Sequence, residues 1–105
     1  LNISNNKVID LIELLEVLRV ALARIGATYA KDEDKLAKAL CYFIIDYQLF
    51  KKVSSVCKNL ISEVESNDDM NKQLEDFFDD IEYWKLPDEI SNEMLSELIK
   101  RNKPE

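Results

Sequence analysis

A chain of 105 residues, 47% apolar and 33% charged, has room for one folded domain and is too apolar for a disordered tail. One glycine, two prolines, two cysteines and no histidine exclude a glycine-rich phosphate loop, a turn-dense β-sandwich, a disulfide scaffold, a four-cysteine metal site and any histidine-based triad or pH switch. The net charge of −7 is concentrated, because Ser62–Glu97 carries thirteen acids against Lys72 and Lys85, a net −11, while the segments on either side are each +2. That field disfavours nucleic acid and anionic membrane surfaces and favours a basic protein surface.

Taken in chain order, the periodicity is helical almost throughout. From Lys7 to Ala27, Val8, Leu11, Leu15, Leu18, Leu22 and Ile25 recur in steps of three and four, the spacing of one buried seam. Ile9, Ile12, Leu14, Val17 and Ala21 widen the stripe, so this helix is either central to the fold or buries a second face against another chain; the core role is the expected one. Ser4 or Asn6 suits its start and Gly26 its end. A second helix is predicted from Asp32-Glu33-Asp34, a cap followed by acids at the positive end of the dipole, with Leu36, Ala39, Leu40, Phe43, Ile44 and Tyr47 inward.

A break is required near Asp46-Tyr47-Gln48, where the apolar stripe changes phase. The third helix then runs from about Leu49 to Glu65, with Phe50, Val53, Val56, Cys57, Leu60, Ile61 and Val64 inward. Ser66-Asn67-Asp68-Asp69 reads as a loop. A fourth helix is predicted over Asn71 to about Tyr83, and Leu86-Pro87-Asp88 breaks it and opens a fifth, since proline fits a first helical turn. The expected fold is therefore all-α: a single-domain antiparallel bundle of four to five helices, with residues 1–5 and 102–105 as flexible termini. No apolar run is long enough to span a membrane, and Leu1–Asn6 lacks the basic region and cleavage site of a signal peptide. With two thiols in apolar surroundings, the expected compartment is the cytoplasm.

Several residue groups bear on chemistry. Asp76, Asp79 and Asp80, with Glu75 beside them, place carboxylates at i, i+3 and i+4, a spacing able to hold magnesium or manganese, or simply a solvated acidic face. Glu13-Leu14-Leu15-Glu16 matches the first half of the paired carboxylate motif of helical nucleotide pyrophosphohydrolases, but the second half is missing. The Asp68-Asp69 region lacks the glycine of an EF-hand loop. Cys41 and Cys57 lack any redox or nucleophile motif, so packed, reduced thiols are expected, and a bridge requires β-carbons within about 4.5 Å. Lys51, Lys52, Ser55, Lys58 and Asn59 give the third helix a basic side, the outline of a helix-turn-helix reader, without its turn glycine or a recognition-helix arginine.

The most distinctive stretch is Leu74–Leu86, in which Phe77, Phe78, Tyr83 and Trp84 are interleaved with Glu75, Asp76, Asp79, Asp80 and Glu82. Acids attract a basic surface over distance, and tyrosine and tryptophan anchor interfaces. The alternative is an ordinary core formed by Phe77, Ile81 and Trp84 behind solubilising acids. On charge and aromatic placement, the chain resembles the small acidic helical immunity proteins with which bacteria neutralise nuclease toxins, as in contact-dependent inhibition and colicin systems. The resemblance implies a non-enzymatic inhibitor that occludes a basic toxin domain, with no cofactor and no metal. From the residues themselves, the expected partner-binding set is Glu75, Asp76, Asp79, Asp80, Glu82, Tyr83 and Trp84. A monomer is favoured, with a homodimer through the first helix as the variant. The rival functions are a helical regulatory or adaptor module, a metal-dependent nucleotide hydrolase and a helix-turn-helix regulator.

Overall fold

A computed structural model describes residues 3–102. Among them lie five helices and no strand: α1 (Asn5–Tyr29), α2 (Glu33–Asp46), α3 (Leu49–Glu65), α4 (Asp68–Asp80) and α5 (Asn92–Arg101). The all-α class is as the periodicity predicts. No helix is long and apolar enough to cross a membrane among the described residues. Of the termini expected to be flexible, residues 1–2 and 103–105 lie outside the described part. Asn5 is already helical, and the Asn102 N–H closes α5 on the Leu98 carbonyl at 2.9 Å.

The first helix differs from expectation at its C-terminus. It passes through Gly26 and ends at Tyr29, and Gly26 has no positive φ. A mid-helix glycine costs about 1 kcal/mol relative to alanine, too little to stop a helix flanked by Ala23, Ala27 and a long apolar stripe. The stop comes instead from Asp32. Its backbone N–H returns to the Tyr29 carbonyl at 3.0 Å, and its carboxylate accepts the Lys35 N–H at 3.1 Å as the cap of α2. Glu33 and Asp34 then occupy the first turn, and Lys38 pairs with Asp34 at 3.0 Å one turn on.

The break between α2 and α3 falls at Tyr47-Gln48. Tyr47 ends α2 by donating to the Phe43 carbonyl at 2.9 Å, and its ring stacks on that of Phe43 with centroids 5.5 Å apart. Gln48 takes a left-handed φ of 57°, doing what a glycine would do at less cost. The next connection is shorter than expected. Asn67 caps α4 by accepting the Met70 N–H at 3.0 Å, so Asp68 and Asp69 form its first turn rather than a loop.

The later boundaries also move. α4 ends at Asp80, not near Tyr83, and α5 begins at Asn92, capped by the Ser91 hydroxyl 3.1 Å from the Met94 N–H. Pro87 therefore opens no helix; it sits in an irregular stretch between the two. A serine hydroxyl satisfies an otherwise orphaned helical N–H, whereas proline only removes one, and the cap decides the start.

The chain divides into two compact units, one formed by the residues up to Leu15 with Phe50–Lys85, the other by Glu16–Leu49 with the residues from Leu86 onward. In the first, Leu14 is buried and Lys7 bridges to α3, with its ammonium 3.2 Å from the Glu63 carboxylate and 3.5 Å from the Asn59 carbonyl. In the second, Leu36 is the buried anchor, and the Ser96 hydroxyl of α5 donates to the Glu33 carboxylate of α2 at 2.8 Å. The predicted inner face of α3 is only partly covered: Val56, Leu60, Ile61 and Val64 are half-buried, while Phe50 and Val53 are exposed. Cys41 and Cys57 are free and exposed, contrary to the packed thiols expected. The reason is the small size of the units, which leaves much of each wide apolar stripe uncovered.

Candidate functional site

The acidic-aromatic stretch lies at the end of α4 and just beyond it, within the first unit. On α4 the half-buried side is Met70, Asn71 and Leu74, at the i, i+1 and i+4 spacing of a narrow seam. Phe77 and Phe78 follow on that side but stand 55% and 39% exposed, with ring centroids 5.9 Å apart and planes tilted by 52°. Two consecutive phenylalanines are 100° apart on a helix, so both rings cannot point directly into a narrow seam that leaves even Met70 and Asn71 half-buried; this was the signal in the sequence that at least one would remain uncovered.

Glu75, Asp76, Asp79 and Asp80 are all exposed. The last turn of α4 holds no base. Acids there face the negative end of the helix dipole, which destabilises further turns and accounts for the end at Asp80 rather than three residues later. Ile81 then leaves the helix with φ −71° and ψ 132° and is half-buried, tying the extended chain back to the unit.

Beyond it Glu82, Tyr83 and Trp84 are all exposed, Tyr83 at 65% and Trp84 at 79%. Trp84 is therefore not core, which removes the reading in which it packs with Phe77 and Ile81 in the interior. No ion pair or hydrogen bond among the described residues engages the side chains of Glu75, Asp76, Asp79, Asp80 or Glu82. Nor does any backbone hydrogen bond outside the helices involve Glu82 to Ile90. All seven residues of the expected set thus stand on exposed positions of one short stretch, with their charge uncompensated.

The geometry also bears on the rival chemistries. Among the described residues, no three or more acids and cysteines come together in a way that could hold a metal ion. Helical spacing puts Asp76, Asp79 and Asp80 on one side, but their carboxylates do not converge. Glu16 of the Glu13-x-x-Glu16 pair is engaged by Arg19, whose guanidinium Nε lies 3.3 Å from one carboxylate oxygen while Nη2 contacts the other. This hydrogen bonding, with the attraction of the adjacent cation, holds the Glu16 carboxyl below the usual carboxylate range and raises Arg19. Lys51, Lys52, Ser55, Lys58 and Asn59 are exposed along α3, as a basic face requires.

What this arrangement can do chemically is bind. Exposed carboxylates attract over about a Debye length, 8–10 Å at physiological salt, and exposed aromatic rings supply apolar area for docking once contact is made. No protein-family model matches the chain, and neither does any curated protein or solved structure.

Proposed function

We propose that this chain is a protein-binding inhibitor: an immunity protein of the cytoplasm that neutralises a basic, nuclease-type toxin domain by covering its surface, without catalysing a reaction. The observation that carries the reading is the exposure of Tyr83 and Trp84 directly after a helix end crowded with unpaired carboxylates. The acids bring a basic partner in, the aromatic pair holds it, and each of these roles has its own kinetic signature. Partner contact is assigned to Glu75, Asp76, Asp79, Asp80, Glu82, Tyr83 and Trp84.

The test is capture of the partner from the native cells, followed by association kinetics at low and high salt. Changing Asp76, Asp79 and Asp80 to lysine alters the local charge by six and should slow association at low salt by about tenfold or more. High salt should erase most of the difference. An acidic partner, or an association rate indifferent to both salt and charge reversal, rejects the proposal.

A second reading, a helical adaptor that pairs with another chain through α1, is favoured by Ile9 and Ile12, which are 58% and 59% exposed. It predicts a dimer mass that persists on dilution and an association indifferent to the α4 acids.

A further inference from the structure

The first unit carries exposed charge of both signs, in two separate patches. Residues 49–62 of α3 hold Lys51, Lys52 and Lys58 and no acid, whereas residues 75–82, at the end of α4 and just beyond, hold five acids and no base. All of these charged residues are exposed, and no ion pair among the described residues engages Lys51, Lys58 or any of the five acids. Apolar surface accompanies each patch. On α3, Phe50, Val53 and Cys57 recur at i, i+3 and i+7 and are exposed, Phe50 at 72%. On α4, the exposed rings of Phe77 and Phe78 fall between Asp76 and Asp79 in the chain. The two patches are opposite in charge and alike in apolar character.

The chain also leaves open the area that a dimer needs. It exposes 8907 Å². Two separate compact bodies, each about half of its 12.2 kDa, would together expose about 7,300 Å². The excess of about 1,600 Å² is twice the ~800 Å² that each partner gives to a standard interface. Among the described residues, Leu14 and Leu36 are the buried apolar side chains, one in each unit, so the surplus is apolar surface that packing within the chain does not cover.

We propose that the chain pairs with a second copy of itself, the basic face of α3 in each copy seated on the acidic end of α4 in the other. A two-fold axis makes the pairing reciprocal: the contact of lysines with carboxylates occurs twice, with the roles of the copies exchanged, and the pair closes. Pairing like patches would instead set lysine against lysine or acid against acid, at a cost. The dimer covers acids assigned above to partner contact, so self-association and partner capture exclude each other. The pairing itself does not rest on that assignment.

The test is sedimentation of the full chain from micromolar to sub-millimolar concentration, at low and high salt. A dimer is expected, weakened by salt because opposite charges hold it. Replacing Lys51, Lys52 and Lys58 with glutamate should weaken it by about tenfold or more, and so should replacing Glu75, Asp76, Asp79 and Asp80 with lysine. All seven positions are exposed, so each variant should keep the wild-type helical spectrum. An equal mixture of the two variants restores both contacts with their signs exchanged, and its heterodimer should match the wild-type dissociation constant within about threefold. A wild-type chain that stays monomeric throughout overturns the proposal. So does a dimer that survives either reversal, which would assign the contact to another face such as α1. Two monomeric variants whose mixture stays monomeric overturn it as well. The assay holds no other protein, so its outcome is separate from that of the partner capture.

Discussion

Trp84→Ala separates an interface anchor from a structural residue, because the two roles differ in magnitude and in where the loss appears. The side chain is 79% exposed, so only about a fifth of its surface is covered in the free protein. A tryptophan offers roughly 200 Å² for burial, so the covered part is about 40 Å², worth about 1 kcal/mol at ~25 cal/mol per Å². Truncation should therefore cost the free protein no more than about 1 kcal/mol, against the 3–5 kcal/mol typical of a core tryptophan. Covering the remaining ~160 Å² in a complex is worth about 4 kcal/mol before ordering costs, and a net loss of about 2 kcal/mol, or roughly thirtyfold in affinity, is expected. Stability is measured by urea unfolding monitored by far-ultraviolet circular dichroism, since Trp84 is the only tryptophan and vanishes with the substitution. In the wild-type chain the same residue is an unambiguous fluorophore, and its emission should be that of a water-exposed indole, moving to the blue when a partner covers it. A stability loss above about 3 kcal/mol, or the emission of a buried indole in the free protein, refutes the reasoning.

Both cysteines should react with a thiol reagent in the native state without denaturant, since Cys41 and Cys57 are exposed; slow labelling of either would contradict the fold around it. Gln48→Gly should stabilise the chain by about 1 kcal/mol, a rise of several degrees in Tm, because it removes a side chain from left-handed backbone; an unchanged or lower Tm would count against the assigned turn. Asn67→Ala and Ser91→Ala should each cost about 1 kcal/mol through loss of a helix cap, read from urea midpoints. Arg19→Ala should let the Glu16 carboxyl titrate at a higher pH in an NMR titration, toward the ordinary carboxylate range. Because the folded-state pKa of Glu16 is the lowered one, whatever the pair adds to stability is present above the ordinary carboxylate pKa and is lost as pH falls through the lowered value.

One helix cap and one change of apolar phase were the legible part of this chain. Asp32 announced the start of α2, and the phase change at Asp46-Tyr47-Gln48 located the break that lets α3 run over Leu49–Glu65 as expected. These are local decisions, made by hydrogen bonds between near neighbours in sequence. The misread boundaries involved competition between weak local preferences. Gly26 disfavours a helix by too little to end one, and Pro87 permits a helix start that Ser91, as a true cap, takes instead. The end of α4 was readable in principle from acids piling up at a C-terminus, but the aromatic residues beyond it looked like a continuing stripe.

Burial was the least legible property, for a physical reason. Periodicity says which side chains share a face, not how much neighbouring surface is available to cover that face. Leu14 and Leu36 reach the interior while Val53, Phe50 and Cys57, at equally regular positions, do not. For the candidate site the sequence identified the residues and their charge. Only the backbone turn at Ile81 shows that Tyr83 and Trp84 leave the helix and stand in solvent.

The chain between α4 and α5 also has a consequence for the protein's lifetime. A protease cleft takes its substrate as an extended strand with free backbone groups, and must normally wait for a native segment to unfold into that form. Glu82 to Ile90 is already exposed and, among the described residues, free of backbone hydrogen bonds outside the helices, and Tyr83, Trp84 and Lys85 supply the side chains sought by chymotrypsin-like and trypsin-like enzymes. One cut there would detach α5 from the covalent chain while leaving every helix intact. Degradation of this protein should therefore start at the candidate docking stretch, and a bound partner would lengthen its half-life by shielding the scissile bonds.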